Sequence, residues 1–377
     1  MLLSSVLRRA VPATVFALAI VAAPVVAFQP TVPITDGDPG HALTVTDLSG
    51  RGGDLVASIA DVGGVDTRTV LMHSTDGGVV WVGSALSGAN RGSQATVCAG
   101  DGVMIYETFL GGTSWGIDTL TVPLNLDPPA QLSWTTSGIA RKPDIACTAN
   151  EEMAMAWFEK QGSRYHVRLR TAQPLGADQT SQSFDLGLGT VGRGLSIAAS
   201  SSRVYVTWFD GSTLKLRRYR IGSSSGHHLT SLGTATIATL KSGAYPQVGS
   251  DGHRVLLAYM DRASLKVRRS TDSGSSFGSP KTLRFEGFPG EIGAFPLTVA
   301  VHGSTVAIGA VESAELGGKG LGYLSTNGGS SYAKVSQHPS GRVMAGLVKI
   351  GGSYRYSEAW DQSITQPDPQ SIQFRRQ

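Results

Sequence analysis

The sequence predicts an all-β fold built from a repeated four-stranded antiparallel unit. Three observations carry that prediction: apolar strands recur at near-constant spacing, turn residues punctuate the joins, and glycine is abundant where charge is sparse. Of 377 residues 48 are Gly, about 13% (48/377), and only 16% are charged, against roughly 7% and ~25% in ordinary chains. That balance excludes a coiled coil, which would be rich in Glu, Lys and Ala. A hydrophobic share of 41% excludes a disordered chain, because enough apolar surface is present to offset chain entropy. Two cysteines are too few for a disulfide scaffold, so a large apolar core must carry stability.

The repeat is read from its most apolar strand. LVASIAD (55–61), VMIYETF (103–109), MAMAWFE (153–159), VYVTWFD (204–210), VLLAYMD (255–261), VAIGAVE (306–312) and RYSEAWD (355–361) start 48, 50, 51, 51, 51 and 49 residues apart. A second short strand precedes each, as in DIACTA, LSIAAS and PQVGSD. A third follows, clearest in YHVRLRTA (165–172), TLKLRRYR (213–220) and SLKVRRST (264–271). Gly, Ser, Asn and Asp fill the joins, as turn chemistry requires. A unit of ~50 residues and four strands is the size of a propeller blade. One blade cannot cover its own apolar faces, so blades must stack around a ring. The expectation is a seven-bladed β-propeller spanning 28–377 as one domain, with a six-bladed ring plus a hairpin as the rival. The last unit runs out at Gln377 after three strands. Residues 28–36 are therefore expected to supply its outer strand, where Pro30 and Pro33 cost least.

Residues 1–27 read as an export signal. Arg8 and Arg9 form a basic start, Val15 to Ala23 an apolar core, and Val25-Val26-Ala27 a cleavage site before Phe28. A membrane anchor is the alternative, but Pro12 and Pro24 interrupt the apolar stretch from Ala10 to Ala27. Cleavage would leave a secreted or otherwise extracytoplasmic protein without stable membrane insertion. It would also lower the formal charge from +4 to +2 by removing two arginines. Nucleic acid is not an expected partner of so balanced a chain.

Three of the third strands end in one turn pattern, Ser-Thr-Asp/Asn-x-Gly-x-x-aromatic. The matches are Ser74, Asp76, Gly78 and Trp81; Ser270, Asp272, Gly274 and Phe277; and Ser325, Asn327, Gly329 and Tyr332. A short acceptor side chain binds amides of its own turn, Gly takes a positive φ, and the aromatic packs beneath. This resembles the Asp-box of the sialidase-like, or BNR-repeat, β-propellers. In that family the box is structural and lies opposite the ligand face. The resemblance therefore assigns these acids to turns and not to catalysis.

The same resemblance suggests where a sialidase site would be. Retaining sialidases use three arginines, a Tyr nucleophile with a Glu partner, and an acid/base Asp. Tyr356 and Glu358, with Arg141, Arg193 and Arg342 at inner-strand starts, are the available candidates. However, residues 28–50 contain no Arg to serve as the first of the three. On the ligand rim the strand starts and ends supply Lys142, Glu159, Asp210, Tyr245, Asp261, Phe295 and Asp361, together with Asp61 and Glu312. Trp157, Trp208, Tyr259 and Trp360 lie nearby. Charge beside aromatic rings suits a carbohydrate or peptide. Alternatively the acids pair with Arg164, Lys215 or Arg262 across their hairpins. Arg168, Arg170, Lys215, Arg217, Arg218, Lys266, Arg268 and Arg269 form a basic belt that either meets an anionic glycan or headgroup or is structural.

No cofactor or metal site is expected. His227-His228 has no spaced partner, and Asp36-Gly-Asp38 lacks the later calcium ligands. Cys98 and Cys147 lie in the first strands of neighbouring repeats and face opposite ways, which permits a bridge between blades two and three; two buried thiols are the alternative. The leading functional reading is a monomeric, secreted, non-catalytic module that binds a glycan or extracellular protein. An exo-sialidase-like glycoside hydrolase and an extracytoplasmic assembly or scaffold factor are the alternatives.

Overall fold

In a computed structural model the chain forms seven four-stranded antiparallel sheets. The structure describes residues 28–29, 32–36 and 41–377, apart from 64–65, 88–89, 99–100, 112–113, 124–129, 135–138, 149–151, 173–180, 223–227, 263, 284–296, 312–318, 340–341 and 362–370. The expected signal, Phe295, Glu312 and His227 thus lie outside the described residues. Blades one to six are each sequential, covering 41–87, 90–134, 140–189, 195–239, 243–283 and 298–338. Blade seven takes its inner three strands from 343–376 and its outer strand from Val32–Asp36. That strand pairs antiparallel with Ser371–Arg376, Val32 opposite Phe374, and the N–H of Gln29 donates to Arg376 O at 2.7 Å. There are seven blades, so the six-bladed rival is excluded. The described residues contain a single 3-10 turn, Val191–Arg193, and no helix long and apolar enough to cross a membrane.

The second strand explains why the ring must close. In Met153–Gln161 the first six residues are all buried, whichever way they point, so both faces of the strand are covered. Seven hydrophobic clusters do the covering, one at every junction between consecutive blades. Phe158, Leu169 and Val167 of blade three meet Trp208, Val206 and Tyr219 of blade four in one of them. Leu43, Leu55 and Ile59 of blade one meet Met344, Ile372 and Phe374 of blade seven in another, which seals the ring.

Polar groups cross the same junctions near the axis. An inner-strand side chain of one blade accepts the amide of the next. Ile197 N–H donates to Asp144 Oδ2 at 2.9 Å, Val248 N–H to Ser196 Oγ at 3.3 Å, and Ala345 N–H to Thr298 Oγ1 at 2.8 Å. Cys147 is disulfide-bonded, and Cys98, on the inner strand of the neighbouring blade, is the one other cysteine in the chain.

The three Ser-Thr-Asp/Asn turns join third to outer strands in blades one, five and six. In each the Ser hydroxyl donates to the Asp or Asn at 2.7–2.9 Å and accepts the N–H of the Gly two residues after that Asp or Asn at 2.8–2.9 Å. Each turn is also held by an arginine from the third strand of the preceding blade. Arg218 donates to Ser275 Oγ at 2.5 Å, Arg269 to Ser330 Oγ, and Arg376 to Asp76 O at 3.1 Å and to Gly77 O. The basic belt is therefore largely structural. Arg217 binds Ser231 and Thr234, Lys266 binds Thr282, and Arg268 binds Tyr259 OH and Gly278 O.

Gly78 tests the closure. Its φ is +91°, and a Cβ there would overlap the Phe374 ring. Gly78→Ala should cost at least about 1–2 kcal/mol, from left-handed strain plus the clash. Urea unfolding of residues 28–377 measures this, and a loss below 0.5 kcal/mol would show that the turn is not seated on Phe374.

Candidate functional site

Among the described residues, two inner strands combine a pairing slip at their start with a left-handed residue. Pairing slips between Arg141 and Asp144 and between Ala244 and Gln247. Within the slips Lys142 has φ +52° and Tyr245 φ +51°. Each precedes a proline, a position that ordinarily favours extended backbone. Bulges of this kind turn a side chain out of the ladder and occur beside binding sites. Both side chains are half-buried at the rim, and Gly194 of the preceding blade lies against Tyr245.

Buried acids hold this rim. Glu107, on the second strand of blade two, is 2% exposed; it accepts the Lys142 N–H and lies 3.1 Å from Arg141 Nε. Burial raises its pKa, partly offset by those two donors. Asp361 Oδ1 accepts the N–H of Arg342 at 2.5 Å, and burial pushes that carboxyl up to about 6. Arg193 donates to the carbonyls of Leu240 and Lys241 at 3.2 and 2.8 Å and lies over Phe209. Asp210 pairs with Lys215 at 2.5 Å. Glu159 pairs with Arg168 at 2.8 Å, and Arg168 reaches on to Asp185 at 3.1 Å. Arg168, opposite Trp157, thus takes the place expected of Arg164, opposite Gln161; each stands two rungs from Glu159 along the hairpin, on either side. Asp261 is half-buried at its strand end. Trp157, Trp208, Tyr259 and Trp360 are 8, 0, 1 and 7% exposed and belong to the core, which leaves Tyr245 as the aromatic rim candidate among the described residues.

Tyr356 and Glu358 do come together, but away from those arginines. Both are fully buried, and Tyr356 OH donates to Glu358 Oε2 at 2.7 Å. The same carboxylate accepts Ser336 Oγ at 2.5 Å, His338 Nε2 at 3.1 Å and Arg375 Nε at 2.5 Å. Ser336 and His338 lie on the outer strand of blade six, so the cluster spans the junction with blade seven. Gly322 leaves room for the phenol, and Phe28 covers it edge-on at 6.0 Å. Burial and the neighbouring carboxylate raise the Tyr356 pKa well above 10. Burial opposes ionisation of Glu358, but His338, Arg375 and Ser336 outweigh it and hold the carboxyl below its ordinary value.

A cavity of about 460 Å³ follows the axis, lined by the latter halves of the inner strands. Asp144, Gln247 and Thr298 form its polar collar, with Ser196 behind it donating to Gln247 Oε1 at 3.1 Å; the four recur at a spacing of 52, 51 and 51 residues. Burial raises the Asp144 carboxyl to about 6, against the amides of Ile197 and Ile145. The sequence reading missed this collar, although a polar residue followed by Ile or Val recurs there in four consecutive repeats. No group of His, Cys, Asp and Glu among the described residues is arranged to hold a metal ion.

No protein-family model matches the chain, and no curated protein matches it in sequence. Solved structures do. The endosialidase of phage phi92 superposes with a TM-score of 0.50 at 12% identity, over 92% of this chain and 68% of that one. A chain from a structural and mechanistic study of two prolyl endopeptidases gives 0.50 at 18%, over 89% of this chain and 47% of that one. Trypanosoma rangeli sialidase gives 0.48 at 10%, over 78% of this chain and 56% of that one. What the chain shares with these structures is the β-propeller fold. Identities this low establish architecture alone, and this propeller spans about half the length of the latter two relatives. Of the groups a sialidase would need, Tyr356 and Glu358 are paired inside a blade junction, whereas Arg141, Arg193 and Arg342 are each engaged by a different partner.

The raised carboxyls of this propeller give a pH prediction. A native pKa near 6, above the unfolded ~3.9, makes the native state hold more protons between about pH 4 and 6. Stability then falls as pH rises through that window, by on the order of 2–3 kcal/mol for Asp361. Asp361→Asn cannot titrate, so its Tm should gain a few degrees on the parent between pH 4 and 7. A constant difference would refute the shift.

Proposed function

We propose that this chain is a secreted, non-catalytic member of the sialidase-like propellers, and that it binds a glycan at the rim where the inner strands begin. One observation carries the reading. The Tyr356–Glu358 pair is sealed at 0% exposure between two blades and is held by Ser336, His338 and Arg375. A nucleophile needs an open approach to the reacting carbon, and a phenol raised well above 10 is a poor one. The rim carries half-buried Tyr245 at its bulge, one side of it packed on the core of blades five and six, with Lys142 beside the Glu107–Arg141 pair and Asp261 at a strand end. A half-exposed ring with flanking charges supports sugar stacking and orientation. The three Ser-Thr-Asp/Asn turns, read as Asp-boxes, brace the opposite end.

A glycan microarray probed with residues 28–377 is the test. Retention of at least one glycan is expected, with the signal lost in Lys142→Ala/Tyr245→Ala. Release of fluorophore from a sialoside is expected to be absent. Turnover that disappears in a folded Tyr356→Phe protein would overturn the non-catalytic reading. Binding unchanged in the double variant would move the site elsewhere.

A further inference from the structure

The end of the propeller opposite the rim carries an apolar corner that the same turn does without in two other blades. In the turn of blade one, Val79 and Val80 stand 51 and 59% exposed, followed by Val82 at 55%. The equivalent turns of blades five and six have Ser275-Ser276 and Ser330-Ser331 at the first two positions. The turn geometry therefore asks only for backbone there. The amides of Val79 and Val80 are fixed on Asp76 Oδ1 at 2.9 and 3.0 Å, so the two side chains are held rigidly in water.

Cations surround this corner. The N–H of Gly77 donates to Gly53 O at 3.0 Å and that of Lys349 to Gly52 O at 2.7 Å, which brings the turns of blades one and seven together. Those turns bring Arg51 and the exposed Lys349, and Arg355 is exposed on the strand that follows. Arg376 grips the valine turn itself. Asp54 lies beside Arg51, and the Asp76 carboxylate is occupied by its own turn.

The chain also enters the fold here. Gln29 pairs with Arg376, and Phe28 lies 3.9 Å from the Arg375 guanidinium. Three valines are far too few for a stable protein interface, which takes roughly 800 Å² from each partner. They suit shallow insertion among headgroups, with cations on the phosphates. We propose that this corner docks the propeller on an anionic lipid surface, with the rim directed away from it.

The test is sedimentation of residues 28–377, which contain every strand of the ring, with vesicles of phosphatidylglycerol and phosphatidylcholine. Binding is expected at 0.1 M salt, weakened in 0.5 M salt and on phosphatidylcholine alone. Val79→Ser/Val80→Ser, which installs the residues of the sister turns, should keep the parent Tm and lower the apparent partition coefficient at least tenfold. Lys349→Ala/Arg355→Ala should weaken binding severalfold on the anionic vesicles only. No binding by the parent, or equal binding by the valine variant, would overturn the proposal. So would valine-dependent self-association on gel filtration without vesicles, which would make a second copy the occupant.

Discussion

Burial of the second strand on both faces is the constraint from which the rest of this structure follows. A strand of that kind is stable only between two neighbours, and every blade in the ring has one. Each blade is therefore incomplete until the next is in place. The seven junction clusters, the amide bonds from Asp144, Ser196 and Thr298, and the arginines on the turns all serve one purpose. They lock each blade's second strand beneath its neighbour. The rim and the axial cavity are what remains where that packing stops.

Polar chemistry buried in the junctions has the same origin. Glu358 is tolerated without exposure because four donors converge on it, and removing one would leave part of its desolvation uncompensated. The pair looks catalytic in isolation because a Tyr and a Glu two apart on a strand share a face. In a blade that face belongs either to solvent or to a neighbour, and here it belongs to blade six. Residue type and spacing are the same in the two situations; only the opposing surface differs.

This distinction marks what could be read from the sequence. Blade number was legible because each blade repeats the same apolar run, so one pattern is sampled seven times. The acid-to-cation pairing of Asp210 with Lys215 was legible as well, since it is local to one hairpin. The partners of Arg218 and Arg269 were not, because Ser275 and Ser330 lie 57 and 61 residues downstream on the adjoining blade. Alternation places a side chain on a face, but it does not say what lies across from that face. Lys142 and Tyr245 were found as strand starts, whereas their left-handed backbone was not, because a residue before proline ordinarily avoids it.

The pairing of Val32–Asp36 with Ser371–Arg376 has a consequence in time. Val32 faces Phe374 at a sequence separation of 342 (374 − 32). A chain made from its N-terminus therefore holds its outermost strand idle through the synthesis of all seven inner strands. Closing so long a loop costs little more than closing one half its length, about 0.6 kcal/mol by the logarithmic law, yet nothing can be closed before the last six strand residues exist. Until then blade one presents the uncovered surface that Phe374 later seals, and blade seven lacks its edge. Completion of the ring thus waits for Ser371–Arg376 to be made, and the open intermediate before it is the species most exposed to wrong partners.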